Sequence, residues 1–140
     1  MRHRKQNTKF GRSKSHREAL ISMLVVGLIK SMAIKTTVQK AKVARQLAEK
    51  MLTAARSQDL AARRRVIARL GDAEAVKRLF DEIVPMMEGR PGGFTRITKL
   101  GRRSSDGSEM CMLAWVTEAY VPKAETPVAV EAPAEAAPEA

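Results

Sequence analysis

The side chains able to move a proton or hold a metal are few in this chain, and their spacing argues against turnover. The histidines His3 and His16 have no Cys, Asp or Ser at a spacing that would make a nucleophile and base pair. Each reads instead as a contact to phosphate or base. The single cysteine, Cys111, permits neither an intramolecular disulfide nor a cysteine-based metal site. It reads as a small buried hydrophobe in a strand, in keeping with a reducing, cytosolic setting. Gly89-Arg90-Pro91-Gly92-Gly93 lacks the Lys-Ser or Lys-Thr of a phosphate loop and leads into a strand, so it is no nucleotide cradle. Its glycines are expected to let backbone pass close to a neighbour, with Arg90 and Arg96 alongside. Asp81 and Glu82, with Lys77 and Arg78 four residues before them, read as a solvated helix face. No catalytic residue, cofactor, metal or small-molecule substrate is expected.

What remains is cationic. The first seventeen residues hold Arg2, Arg4, Lys5, Lys9, Arg12, Lys14 and Arg17, and the first carboxylate is Glu18. A segment so charged buries little apolar surface and repels itself, so it needs a polyanion to order it. Across the 140 residues, 26 Lys and Arg stand against 15 Asp and Glu, a net charge of +11. The balance is uneven: the acidic excess lies from Glu118 onward, which leaves the body more basic than the whole. Such a body attracts phosphate strongly, in a salt-dependent and sequence-independent way.

The length suits one domain with extensions, and three parts are expected. Residues 1–14 form a basic RNA-threading arm, 15–118 a globular α+β domain, and 119–140 a disordered acidic tail rich in Ala and Pro. Ser15-His16-Arg17-Glu18 has a capping-box pattern and predicts a helix to about Met32, apolar nearly all round and hence central. Its run Ala19–Ile29 imitates a signal peptide. The long basic lead, Glu18 at its start and Lys30 after it argue against one, and the run is too short for a bilayer.

Ala33 to Thr37 reads as a short extended piece, with Thr37 an N-cap. A second helix follows, its stripe running from Val38 through Ala41, Ala44 and Ala48 to Ala55. A third is expected to Leu70, with Leu60, Val66 or Ile67, and Leu70 inward and Gly71 as its stop. Asp72 should cap a fourth that Pro85 ends. Phe94–Leu100 and Glu109–Thr117 read as a hairpin around the Ser104–Ser108 turn. Since a lone hairpin is marginal, the Ile34–Thr37 piece is a candidate third strand. The expected architecture is therefore about four helices on a small, three-stranded, mixed sheet.

Basic residues fall on the arm, the outer faces of helices two and three, and the hairpin, so the favoured partner is a polyanion. No helix shows the pattern of a DNA recognition helix after a suitable turn. RNA-stacking modules need exposed aromatics, for which only Phe94 and Trp115 are available. Shape-and-phosphate binding to a large structured RNA remains. The alternative is a DNA-binding architectural or regulatory protein. An RNA-acting enzyme would need paired catalytic side chains, which the sequence does not present.

Met1-Arg2-His3-Arg4, His16-Arg17, Ile34-Lys35-Thr36-Thr37 with Lys40-Ala41-Lys42, Val76-Lys77-Arg78-Leu79-Phe80, and Gly92-Gly93-Phe94-Thr95-Arg96-Ile97 occur here in order. In this the chain resembles the bacterial large-subunit ribosomal protein L17 family over roughly residues 1 to 117. It departs at Phe94, where Tyr is common, in a more apolar first helix, in a Ser-rich turn and in its acidic tail. The resemblance implies a domain of helices on a small sheet and an arm laid into large-subunit ribosomal RNA near the outlet of the peptide exit tunnel. It also implies neighbouring large-subunit proteins as partners, a cytoplasmic, ribosome-bound location, no membrane and no enzymatic activity. The candidate RNA contacts are Arg2, His3, Arg4, Lys5, Lys9, Arg12, Lys14, His16, Arg17, Lys35, Lys40, Lys42, Arg90, Arg96 and Arg102.

Overall fold

Apolar spacing along the chain builds four helical rods and a hairpin, seen here in a computed structural model that describes residues 8–118. The expectations for Arg2, His3, Arg4 and Lys5, and for the 119–140 tail, fall outside the described residues.

Helix α1 (Lys14–Ser31) ends where Met32 turns left-handed, at φ 63°. It packs against the other rods and the sheet, as its apolar circumference requires, and buries Val25, Leu28 and Ile29 completely. Its far side leaves Met23 exposed. No helix among the described residues is long and apolar enough to cross a membrane. Strand β1 (Ala33–Thr37) follows, and α2 (Val38–Ala55) begins without a loop, Thr37 serving as the extended N-cap residue. The inward stripe of α2 is mainly alanine, which lets its backbone lie close to α1 and the sheet. Helix α3 (Leu60–Leu70) buries the i, i+4, i+8 row Ala62, Val66 and Leu70. Leu60 and Ile67 lie off that row and are exposed, so the sequence pattern had set the stripe partly on the wrong side. Gly71 closes the helix at φ 75°, its N–H donating to the Ile67 carbonyl at 2.8 Å.

The Asp72 carboxylate accepts from Ala75 N–H at 2.9 Å and starts α4 (Ala73–Arg78) as expected. Pro85 does not end this rod. The chain passes through a π-helical turn (Leu79–Ile83) into a last short turn, α5 (Val84–Met86), that contains the proline. Val84 N–H reaches back five residues to the Leu79 carbonyl. The wider turn gives the ring room where a regular α-helix would clash with the carbonyl four residues earlier.

Strands β2 (Thr95–Arg102) and β3 (Glu109–Trp115) form the hairpin, and β1 adds to the other side of β3, giving the order β1-β3-β2. Both pairings are antiparallel, so the sheet is not mixed: β1 follows α1 after Met32 alone and runs opposite in direction to β3. The register slips between Lys99 and Gly101. Gly101 takes φ 94°, and the bulge leaves Leu100 without a partner on β3. The inner face carries Cys111, Leu113 and Trp115, with Ile34, Thr36, Thr95 and Ile97 beside them in register. Trp115 Nε1–H donates to the Leu28 carbonyl at 3.2 Å, pinning sheet to α1. Glu49 does the same for α2, accepting from the buried Thr95 hydroxyl at 2.9 Å and from Arg45 Nε at 3.0 Å.

Candidate nucleic-acid interface

The cations divide by whether the protein itself supplies their counter-charge. Lys30 lies 2.8 Å from Asp72 and 3.4 Å from Glu74. Its hydrogen bond to Asp72 holds the ammonium above its usual pKa. The Asp72 carboxyl is held below its own, first by the Ala75 N–H and then by Lys30. Arg78 pairs with Glu82 at 2.7 Å and donates to the Lys30 carbonyl. Arg103 and Asp106 meet at 2.6 Å across the hairpin turn, which with Ser108 depresses the Asp106 carboxyl strongly. Arg63 covers the Phe80 ring and Arg56 the Phe94 ring, at 4.7 and 5.6 Å from the centroids. These staples are structural.

The sequence-nominated contacts are mostly of the other kind. Among the described residues, no carboxylate lies within ion-pair distance of Lys9, Lys14, Arg17, Lys35, Lys40, Lys42 or Arg102. Lys14, His16 and Arg17 stand on the first turn of α1, which has no acidic residue there and no side-chain N-cap bond. The expected Ser15–Glu18 capping box is not formed. The helix begins at Lys14, the Ser13 carbonyl takes the Arg17 N–H at 3.0 Å, and Glu18 faces Arg69 at 3.9 Å. Cations at the positive end of the helix dipole destabilise it unless an anion joins them. Arg12 folds over this turn, its Nε donating to His16 Nε2 at 3.3 Å and its Nη1 to the Phe10 carbonyl at 3.5 Å.

A second group gathers on the sheet. Its outer face is not covered by a helix and carries Lys35, Met112 and Thr98 in one cross-strand row and Ala33, Ala114 and Arg96 in the next. A shallow cleft at its open end is lined by Lys35, Leu100, Arg102, Arg103, Ser104 and Met110. The fold thus brings Lys35 and Arg96 onto one exposed face, although they come from strands far apart in sequence, while Arg102, opposite Glu109 in register, lines the cleft from the end of β2. Lys42 belongs to the outer side of α2, with Arg45 and Lys50, and is not part of that surface. Arg90 and Arg96 both bond to Glu118: Arg90 Nη2 donates to its carbonyl at 2.8 Å, and the Arg96 fork holds its carboxylate at 3.1 and 3.2 Å. The sequence reading missed Glu118 as a partner, because only the hairpin register carries it back to β2.

Phe94 and Trp115 are not available for base stacking. They are 3% and 4% exposed and belong to the core. Gly89, Gly92 and Gly93 have no protein atom near a would-be Cβ, so the loop does not use its glycines for a close approach within the chain. Cys111 is buried, which pushes its thiol pKa up. No group of three or more His, Cys, Asp or Glu among the described residues could hold a metal. Among the described residues, cations lie at several separated points of the surface.

The family model described as Ribosomal protein L17 matches residues 20–116. A large ribosomal subunit protein bL17 from Methylacidiphilum infernorum is 48% identical over 122 residues, 87% of this chain and 92% of that protein. One from Maridesulfovibrio salexigens is 45% identical over 141 aligned residues, spanning all of both chains. A third, from Alkaliphilus metalliredigens, is 47% identical over 111 residues, 79% of this chain and 98% of that protein. The chain belongs to the ribosomal protein L17 family, as a structural and non-enzymatic constituent of the ribosome.

Proposed function

We propose that the chain is built into the large ribosomal subunit and binds ribosomal RNA through phosphate contacts. Three regions of cation make those contacts: the arm with the first turn of α1, the outer side of α2 around Lys42, and the uncovered sheet face around Lys35 and Arg96 with Arg102 at the cleft beside its end. The observation that carries the reading is the pairing pattern. Arg45, Arg63, Arg69, Arg78 and Arg103 have carboxylates of their own, whereas Lys14, Arg17, Lys35 and Arg102 have none among the described residues; Arg96, held by the exposed Glu118, is the exception within the proposed surface. Exposed cations left in clusters on separate elements repel one another, and a folded polyphosphate relieves that repulsion. With no exposed aromatic platform on the sheet, recognition runs through backbone shape and charge, which positions a protein without reading sequence. Arg2, His3, Arg4 and Lys5 extend the same contact. Neighbouring large-subunit proteins complete the environment, and the resemblance adds a place near the outlet of the peptide exit tunnel in cytoplasmic ribosomes.

Binding of the full chain to large-subunit ribosomal RNA and to duplex DNA of equal length, measured across a salt series, tests this. The RNA should hold at moderate salt where the DNA is released. Equal or tighter binding to DNA would replace this reading with that of a DNA-binding architectural protein.

A further inference from the structure

The carboxylate of Glu118 sits in the guanidinium fork of Arg96. Glu118 lies just beyond β3, and the bond from Val116 N–H to the Phe94 carbonyl, 2.9 Å, draws the departing chain alongside the loop and β2. There Arg96 Nη1 and Nη2 donate to Oε1 and Oε2 at 3.2 and 3.1 Å, while Arg90 Nη2 donates to the backbone carbonyl at 2.8 Å. Two parallel bonds from one guanidinium are the geometry in which arginine holds a carboxylate or a phosphate interchangeably.

Three features separate this pair from the structural staples. The side chains are 59% and 69% exposed, so another anion has access and the pair contributes little to folding. The other close arginine–carboxylate pairs, Arg45–Glu49, Arg78–Glu82 and Arg103–Asp106, join residues within one helix or one turn. Arg96–Glu118 spans 22 residues and ties the hairpin to the start of the acidic segment. Finally, Arg96 stands on the uncovered sheet face one cross-strand row from Lys35, inside the surface assigned above to phosphate. The mutual pull is visible in both partners: the bond to Arg96 lowers the Glu118 carboxyl pKa, and the bond to Glu118 raises that of Arg96. Beyond Glu118 the sequence adds Glu125, Glu131, Glu135 and Glu139 against Lys123 alone.

We propose that Glu118 is an internal stand-in for phosphate: its carboxylate fills the Arg96 fork in the free chain, and a phosphodiester oxyanion of RNA displaces it on binding. This rests on the RNA-binding reading. The exchange swaps one oxyanion for another in the same fork, and no covalent bond changes. Its consequence is a lowered apparent affinity, because the binding-competent state must first release its own carboxylate. The free chain is thereby less prone to capture by stray anions at this site, and only RNA that engages the other clusters at the same time opens it.

The test compares the full-length wild type with Glu118→Gln, Arg96→Ala and the double variant, binding a large-subunit ribosomal RNA fragment at fixed salt. Glu118→Gln should tighten binding by about 1.5- to 5-fold, the range of an exposed ion pair. Arg96→Ala should weaken it, and Glu118→Gln should give no further tightening on the Arg96→Ala background. An unchanged or weaker Glu118→Gln complex, with wild type bound and Arg96→Ala impaired, overturns the stand-in role while leaving RNA binding intact. Equal tightening on both backgrounds also overturns it, since that is the effect of net charge alone. A wild-type chain that does not bind the RNA overturns the functional reading itself.

Discussion

Replacing Lys14, Arg17, Lys35 and Arg102 together with Ala removes four cations that have no carboxylate partner among the described residues. Each phosphate contact releases about 0.7 to 0.9 of a counterion, so losing four lowers the slope of log affinity against log salt by about 3. Between about 50 and 200 mM salt the wild-type affinity should then fall about 60-fold further than that of the variant, by the same relation. Folding should not suffer. Lys14 and Arg17 sit at the positive end of the α1 dipole, where removing cations is neutral or stabilising, and Lys35 and Arg102 are exposed. Trp115 is the single tryptophan and is buried, so its emission reports unfolding directly. Filter binding to ribosomal RNA across a salt series, with Trp115 emission as the folding control, measures both. A folded variant with an unchanged slope would refute the argument that unpartnered cations mark the interface.

Leu28→Ala should cost about 2–5 kcal/mol in urea unfolding, because Leu28 is fully enclosed between the sheet and the helices. Gly71→Ala forces an L-residue into φ 75° at the end of α3 and should cost about 1 kcal/mol, read as a lowered midpoint with an unchanged m-value. The pH dependence is carried in part by Asp72, whose folded pKa lies below its ordinary value of 3.8 because it accepts the Ala75 N–H and pairs with Lys30. Its contribution is present above pH 3.8 and is lost as pH falls from there towards the depressed value. Asp72→Asn keeps an N-cap acceptor but removes the charge, so the acid-induced loss of stability should shrink in that variant. An identical acid profile would show that Asp72 is not among the titrating groups.

The elements were legible in the sequence where spacing and punctuation agreed. The alanine stripe of α2, the Gly71 stop, the Asp72 cap and the hairpin around Ser104–Ser108 lie close to where their residues put them. The capping box at Ser15 was not legible, because cap side chains compete with the position at which the helix starts, and the helix takes Ser13, two residues earlier, as its N-cap residue. Pro85 misled because a proline forbids a regular turn but not a widened one. The antiparallel join of β1 depends on how α1 and α2 fold back, which no local pattern encodes. For the interface, sequence showed which residues are basic. It did not show that Lys35 and Arg96 share one face, since strand order and register decide that. Nor did it show that Phe94 and Trp115 are spent on the core, because both lie in strands whose inward side becomes fixed only when register is known.

Sedimentation of tagged chain from lysate through a density gradient at moderate salt tests the central claim most directly. Co-migration with large ribosomal subunits, lost as salt is raised, is the predicted result. Migration with nucleoid DNA, or as free protein while intact subunits pass it by, would contradict the account.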